Sequence, residues 1–319
     1  MIIDEHAHAG GEYLTVDSIQ KKLHDNMEYI PAKTIVTQPK KHNWFGTDYN
    51  MNIYRGCSHG CIYCDSRSLC YRIENFDEIK AKQDALRIIK NDLLKKRKRG
   101  VIATGAMSDP YNPYEKELKL TRNALELINA YRFGVAIDTK STLIERDINI
   151  LKDIQENSPV LVKITITTAD DNLSKIVESN APVSGERFEI VKKLNDNGIY
   201  TGILMMPILP FINDTEENII NIVHKAKENG ARFIYPAMGM TLRTGNREYY
   251  YEKLDKYFPG IKEKYIKKYD MRYNCTSPNV KKLWNVFTAE CNRLELRYQM
   301  KDIIIDYKRG YTAKQLNLF

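Results

Sequence analysis

The sequence predicts an α/β protein: a partial (β/α)6 TIM-type barrel with an N-terminal arm and a helical C-terminal extension. Three observations predict it. Short apolar runs alternate with amphipathic helical runs six times between Asn50 and about Arg243, a pattern that argues a parallel sheet with right-handed crossovers. Polar loops rich in Gly and Pro follow the apolar runs, where barrel sites lie. The chain has 319 residues, 43% of them hydrophobic, enough for one large core. Six units suit a partial barrel better than a closed eightfold one, and the opening admits a large substrate. The chain divides into an arm over 1–45, a core over 46–244 and an extension over 245–319.

The first unit carries the most specific signal. Residues 49–67 read YNMNIYRGCSHGCIYCDSR. A β-prone stretch, Asn50–Tyr54, runs through Arg55-Gly56 into Cys57, Cys61 and Cys64, a C-x3-C-x2-C pattern. Three thiolates this close grip three irons of a [4Fe–4S] cube and leave the fourth open to a substrate or cofactor. Zinc would want four protein ligands, or three and a water. No fourth Cys or His stands at a finger-like distance, and His59 lies between the cysteines, badly placed to fold back. A disulfide would leave one of the three unpaired. Tyr63, just before the last cysteine, is placed to form an aromatic wall.

This loop, with the IPAKTI segment at 30–35, resembles the radical S-adenosylmethionine (SAM) superfamily. Within it the chain resembles the spore-photoproduct-lyase-like, or DNA-repair-photolyase-like, proteins. The resemblance implies the radical SAM kind of partial barrel and a [4Fe–4S] cluster on Cys57, Cys61 and Cys64. It implies that SAM chelates the open iron through its amino and carboxylate groups. One electron, from a donor such as flavodoxin or ferredoxin, then cleaves SAM to methionine and a 5′-deoxyadenosyl radical, which takes hydrogen from the substrate. That chemistry belongs to the cofactors; the protein holds, orients and shields them.

In the arm, His6 and His8 form an H-x-H pair that reads as a metal pair or a solvated terminus, the latter better. Lys40-Lys41-His42 reads as extended loop, and Trp44 and Phe45 as anchors on the core. After the cysteine loop, Ile79, Leu86, Ile89 and Leu93 predict a helix over Asp77–Arg99. Its basic end, Lys95 to Arg99 before Gly100, suits a helix C-terminus. A solvated helix end explains that run better than a nucleic-acid contact.

Val101–Thr104 is the second strand. Gly105 in the loop after it lets backbone approach a ligand, and Ser108 and Asp109 offer acceptors. The resemblance gives this segment contact with the SAM amino group; a capped Pro-rich turn explains the same residues. A helix follows over Thr121–Tyr131, then a strand over Phe133–Asp138 ending at Thr139-Lys140-Ser141, then a helix over Asp147–Gln155. Val160–Thr168 is the fourth strand, with Lys163, Thr165 and Thr167 on one face. Lys140, Ser141, Thr165 and Thr167 resemble SAM-contacting positions of the family; ordinary strand-end polarity is the competing reading. Glu178 and Arg187 bracket a loop as a ligand contact or a salt bridge. Helices over Glu186–Asn197 and Glu216–Asn229 surround a strand over Ile199–Met206, and Phe233–Ala237 is the sixth strand.

The extension interleaves Tyr249, Tyr250, Tyr251, Tyr257, Tyr265, Tyr269 and Tyr273 with lysine and arginine. Two readings have near-equal weight: base stacking with phosphate contacts, or tyrosines packed on the barrel. Cys70, Cys275 and Cys291 read as a second cluster or, better, as small hydrophobes. The final QLNLF resembles the pentapeptide that docks on the bacterial sliding clamp, through Gln315, Leu316, Leu318 and Phe319.

Lysine and arginine number 49 against 41 aspartate and glutamate, a net +8. That excess suits an anionic partner such as nucleic acid, and equally an ordinary basic protein. No apolar run is long enough for a membrane span, and the acidic start lacks a signal core. Six cysteines, three clustered, suit a reducing, cytoplasmic setting. The expected function is a radical SAM enzyme acting on nucleic acid. Alternatives are a radical SAM enzyme on a protein or small molecule, and a non-enzymatic iron–sulfur module tethered to the clamp. The resemblance places a hydrogen-donor cysteine before the Ser-Asp pair in the lyase itself. Gly105-Ala106-Met107 holds no thiol there, so a substrate other than spore photoproduct is expected unless Cys70 or a tyrosine substitutes.

Overall fold

The computed structural model describes residues 27–39 and 44–311. His6, His8, Lys40, Lys41, His42 and the QLNLF tail lie outside the described residues. Six parallel strands form the sheet: β1 Tyr49–Met51, β2 Val101–Thr104, β3 Gly134–Thr139, β4 Val160–Thr165, β5 Thr201–Met205 and β6 Ile234–Pro236. They lie in chain order, β6-β5-β4-β3-β2-β1, and Val36–Thr37 of the arm adds an antiparallel strand beside β1. The connections carry α1 Ala85–Leu94, α2 Leu120–Ala130, α3 Ile148–Gln155, α4 Ser184–Asp196 and α5 Glu216–Glu228. The expected alternation is therefore present, with strands and helices shifted by a few residues at their ends.

Both strand faces are buried, so the strands are nearly all apolar. On the outer face Val135, Ile137, Val162, Ile164 and Ile203 pack among helix residues such as Ile89, Leu125, Leu151 and Ile222. The intervening Ala136, Leu161 and Leu204 point inward with Val101 and Phe233. That interior is stoppered below by Phe45 and by Ile303 and Tyr307 of a late helix, Met300–Tyr307. Tyr307 Oη donates to Phe45 O at 2.7 Å, and Tyr200 Oη and Arg297 Nε donate to Asp306 Oδ2 at 3.0 and 2.7 Å. The anchor role expected of Phe45 is thus a plug in the barrel floor. Lys163 is fully buried above it, 2.6 Å from Asp138 Oδ1 and 4.5 Å from the Phe45 ring centroid.

The helix expected over Asp77–Arg99 needs correction, since it runs only from Ala85 to Leu94. Lys80–Lys82 is instead a strand, parallel to Glu28–Ile30 and antiparallel to Tyr54–Arg55. Ala81 is buried between two half-exposed lysines, the period of a strand. Long-range pairing overrides the helical spacing of Ile79 with Leu86. The basic run after α1 is largely tied to the core: Lys96 Nζ donates to Val36 O at 2.8 Å, Lys98 lies 3.7 Å from Asp48, and Arg99 covers the Phe133 ring at 5.0 Å.

The extension adds α6 Asn246–Tyr257, α7 Ile261–Tyr269, α8 Val280–Arg293 and α9, the floor helix Met300–Tyr307. Gly239–Thr241 and Asn274–Thr276 pair antiparallel. A second core joins Tyr250, Tyr265, Tyr269 and Cys275 to Cys61, Ile62 and Tyr63. For these three tyrosines the packing reading holds, while Tyr257 and Tyr273 stay exposed. Cys275 sits in this second core, Cys291 in the main one, and Cys70 is exposed, so the three cysteines are dispersed rather than gathered.

Candidate functional site

The cysteine loop leaves β1 at the C-terminal end of the sheet and is fixed from three sides. Gly56 has φ +81°, and a Cβ there would collide with Glu78 O. Cys57 N donates to Phe76 O at 2.8 Å, and Ser108 Oγ donates to Gly56 O. On the far side, Asn180 donates its N to His59 O at 3.0 Å and its Nδ2 to Ser58 O at 2.8 Å. Ile62 N donates to Val177 O at 3.0 Å, and Cys61 bridges Glu178.

Cys57, Cys61 and Cys64 are free thiols. Burial pushes Cys57 and Cys64 up to about 11 and Cys61 up to about 12, and each also feels the charge of another of the three. Among the described residues no three His, Cys, Asp or Glu side chains converge on one ion. Ligands to a cube each take a different iron, so one point of convergence is not required. One buried and two half-buried thiols, whose thiolates need nearby positive charge, fit an iron–sulfur group well.

Behind them lies a buried ion network. Glu178 accepts from Tyr63 Oη and from the Arg187 guanidinium. Arg187 also donates to Thr165 O at 2.7 Å. Burial raises the Glu178 carboxyl, but Arg187 and Lys140 outweigh it and leave it below the usual carboxylate range. Lys140 Nζ lies 5.8 Å from the Tyr63 ring centroid. Burial works against its charge, and the facing Cys61 and Glu178 hold it protonated. From sequence the Glu178–Arg187 pair reads as a ligand contact or a loop salt bridge; the hold of Glu178 on Tyr63, 115 positions away, carries no sequence signal.

The other candidates divide by what their side chains do. Asp109 accepts from Tyr111 N at 2.9 Å, Thr139 Oγ1 at 2.7 Å and Lys140 N at 2.9 Å. It also lies 3.2 Å from His59 Nε2. Ser108 holds Gly56, and Ser141 Oγ accepts from Leu143 N at 3.3 Å to cap the next turn. In this structure these three side chains brace the loops. Gly105 has φ +102°, and a Cβ would fall inside the envelope of Asp138 O. Thr165, the last residue of β4, and Thr167, two residues past its end, are buried; among the described residues Thr167 Oγ1 has no hydrogen-bond partner, while its carbonyl accepts from Asn213 and Asn218.

Tyr63 and Cys64 line a cavity of about 620 Å³ between the barrel mouth and the extension. Met206, Met240, Thr276 and Trp284 form much of the rest of its wall, and Ala106 borders it. These wall residues carry no motif and were missed from sequence.

A partial parallel barrel with a three-cysteine loop after its first strand, beside a mouth cavity, defines a cluster-bearing barrel enzyme. The chain belongs to the radical SAM superfamily, whose family model matches residues 51–223. Members of this family use a [4Fe–4S] cluster and SAM. An uncharacterized protein of Methanocaldococcus jannaschii is 35% identical over 174 residues, 54% of this chain and 64% of that one. An uncharacterized protein of Mycobacterium tuberculosis H37Rv is 25% identical over 228 residues, 69% and 67% of the two chains. The chain thus spans about two thirds of the length of these relatives. Spore photoproduct lyase complexed with dinucleoside spore photoproduct has a similar fold, with TM-score 0.64 at 12% identity over 89% of this chain and 84% of that one. The radical SAM methyltransferase TsrM of Kitasatospora setae, solved with tryptophan and a SAM analog, has TM-score 0.50 at 12% identity over 90% and 56%. At such identities the likeness shows the fold alone.

Proposed function

We propose that this radical SAM enzyme acts on a base of nucleic acid other than spore photoproduct. The observation that supports the reading best is the cavity beside Cys64: apolar and partly aromatic, in a fold shared with a lyase solved with a dinucleoside ligand. Cys57, Cys61 and Cys64 would hold the cluster. With SAM bound, the cluster would supply one-electron reductive cleavage of SAM and so a radical able to abstract hydrogen from the substrate. Lys140 brings a half-buried cation to Cys61 and Tyr63, Gly105 lets the second loop come close, and Tyr63 closes one wall. Gly105-Ala106-Met107 carries no thiol, so hydrogen return in the manner of the lyase has no donor there.

A flavodoxin or ferredoxin suits as electron donor. The QLNLF tail suits a sliding clamp, and a peptide of residues 311–319 that does not bind a bacterial clamp would remove that partner. Among the described residues no helix is long and apolar enough to cross a membrane.

The test is anaerobic reconstitution, reduction, and assay of 5′-deoxyadenosine from SAM, with and without single-stranded DNA or RNA. A Cys57→Ala/Cys61→Ala/Cys64→Ala variant serves as the blank. Deoxyadenosine from the parent alone, increased by nucleic acid, is the expected result. Turnover indifferent to nucleic acid but increased by peptides or small aromatics would replace the substrate. No turnover with four irons per chain bound and every substrate class present would favour a non-enzymatic module.

A further inference from the structure

We propose that the exposed cationic surface of α7 and the segment leading to α8 is a phosphate rim, which holds an unpaired nucleotide strand while its base enters the cavity. This rests on the nucleic-acid reading above and adds the surface and the form of the partner.

The cavity supplies the first half of the argument. Among its described lining residues Asp65 is charged and no lysine or arginine appears. A phosphate inside would have no counter-charge and would face a carboxylate. A neutral, flat ring suits Met206, Met238, Met240 and Trp284 far better.

The second half is where the cations stand. Residues 261–284 contain seven lysines and arginines against Glu263 and Asp270. Lys262 pairs with Asp255 at 2.6 Å and Lys282 with Glu216 at 2.5 Å. Lys264, Lys267, Lys268, Arg272 and Lys281 are exposed and have no ion pair among the described residues. Tyr265 and Tyr269 point α7 into the second core, so Lys264, Lys267 and Lys268 share its outer side. Like charges three and four apart, Lys264 with Lys267 and with Lys268, cost a helix a few tenths of a kcal/mol each, and among the described residues no ion pair to them offsets that. Arg272 stands two residues before Asn274, and Lys281 is next to Val280 and three before Trp284; Asn274, Val280 and Trp284 all line the cavity. Tyr273, 43% exposed, lies between Arg272 and Lys281 in sequence, and Trp284, 44% exposed, follows Lys281 by three residues. Cations that track phosphates beside aromatics that stack bases are the makings of a single-strand site. The other basic run, Lys95 to Arg99, lies at the opposite end of the strands, because α1 leads into the start of β2.

The test is fluorescence anisotropy of a labelled single-stranded oligonucleotide with the reconstituted, anaerobic protein, from about 50 to about 200 mM salt. Lys264→Glu/Lys267→Glu/Lys268→Glu and Arg272→Glu/Lys281→Glu are compared with a control, Lys95→Glu/Arg97→Glu. Glutamine versions replace any reversal variant whose melting temperature has moved. Each rim variant should lose at least tenfold in affinity. The triple variant should also lower the slope of log affinity on log salt by about 2, since each single-strand phosphate contact contributes about 0.7. SAM binding and the control should stay at parent values. Parent binding that the rim variants retain, or that the control loses equally, overturns the rim and leaves the nucleic-acid reading standing. Duplex of the same sequence binding as tightly as single strand overturns the unpaired form. No parent binding at the lowest salt removes the nucleic-acid reading and the rim together.

Discussion

Lys163→Met is the most direct probe of how the barrel carries its site. Lys163 is buried in the interior, paired with Asp138 at 2.6 Å and packed on the Phe45 ring. Methionine keeps most of the volume and removes the charge. Removing one member of a buried pair costs about 3–5 kcal/mol, because the other is left uncompensated. Burial already raises the Asp138 carboxyl, and Lys163 is the chief group opposing it. Without Lys163 that carboxyl takes a proton rather than stay charged, which puts the expected loss near about 3 kcal/mol. The sign with pH follows. A carboxyl raised in the folded state destabilises increasingly as pH climbs above its unfolded value, so the deficit should shrink as pH falls toward about 4. Adding Asp138→Asn should recover much of the loss at neutral pH. The assay is urea unfolding followed by tryptophan emission. Trp44 sits 5.1 Å from Phe45 at the floor and Trp284 lines the cavity, so both ends report. A loss under about 1 kcal/mol, or a double variant whose losses simply add, would refute the idea that the pair acts as a unit.

Three further substitutions follow from the geometry. Gly105→Ala forces a Cβ against Asp138 O at φ +102°, and should cost more than about 3 kcal/mol and weaken SAM binding. Gly198→Ala, at φ +78° with nothing within 4 Å, should cost only about 1–2 kcal/mol; equal losses in urea unfolding would contradict the steric account. Asp306→Asn should cost about 1–3 kcal/mol at neutral pH. Burial raises the Asp306 carboxyl, but Arg297 and Tyr200 outweigh it and hold it below its usual range. Its contribution is thus full above about pH 4 and lost as pH falls through the depressed value. Melting temperatures of parent and variant should converge in acid, and a constant gap would count against this reading.

What could be read from sequence was local. The six units show because each strand and helix carries its own period, and the cysteine spacing names its chemistry without a fold. What escaped depended on distant pairing. Lys80–Lys82 is a strand because Glu28–Ile30 and Tyr54–Arg55 offer it partners. Phe45 becomes a plug because Tyr307, 262 positions away, closes over it. Glu178 matters through Tyr63, and no periodicity links the two. The residues that brace the site were harder still to place: Ser108 and Asp109 sit where a ligand contact is expected, yet both turn to backbone and loop partners.

The floor has a consequence for biogenesis. Every barrel strand precedes α9 in the chain, and α9 completes the seal under Lys163 and Phe45. Domains emerge N-terminus first during synthesis. The half-made barrel is therefore a funnel open at its base, with a charged pair exposed to water that the finished protein excludes. Its cysteine loop leaves the ribosome well before that base is shut. A nascent chain stalled before Met300 should bind more of a dye that seeks exposed apolar surface than one released after Tyr307, and iron delivered before sealing would meet a barrel still wet from below.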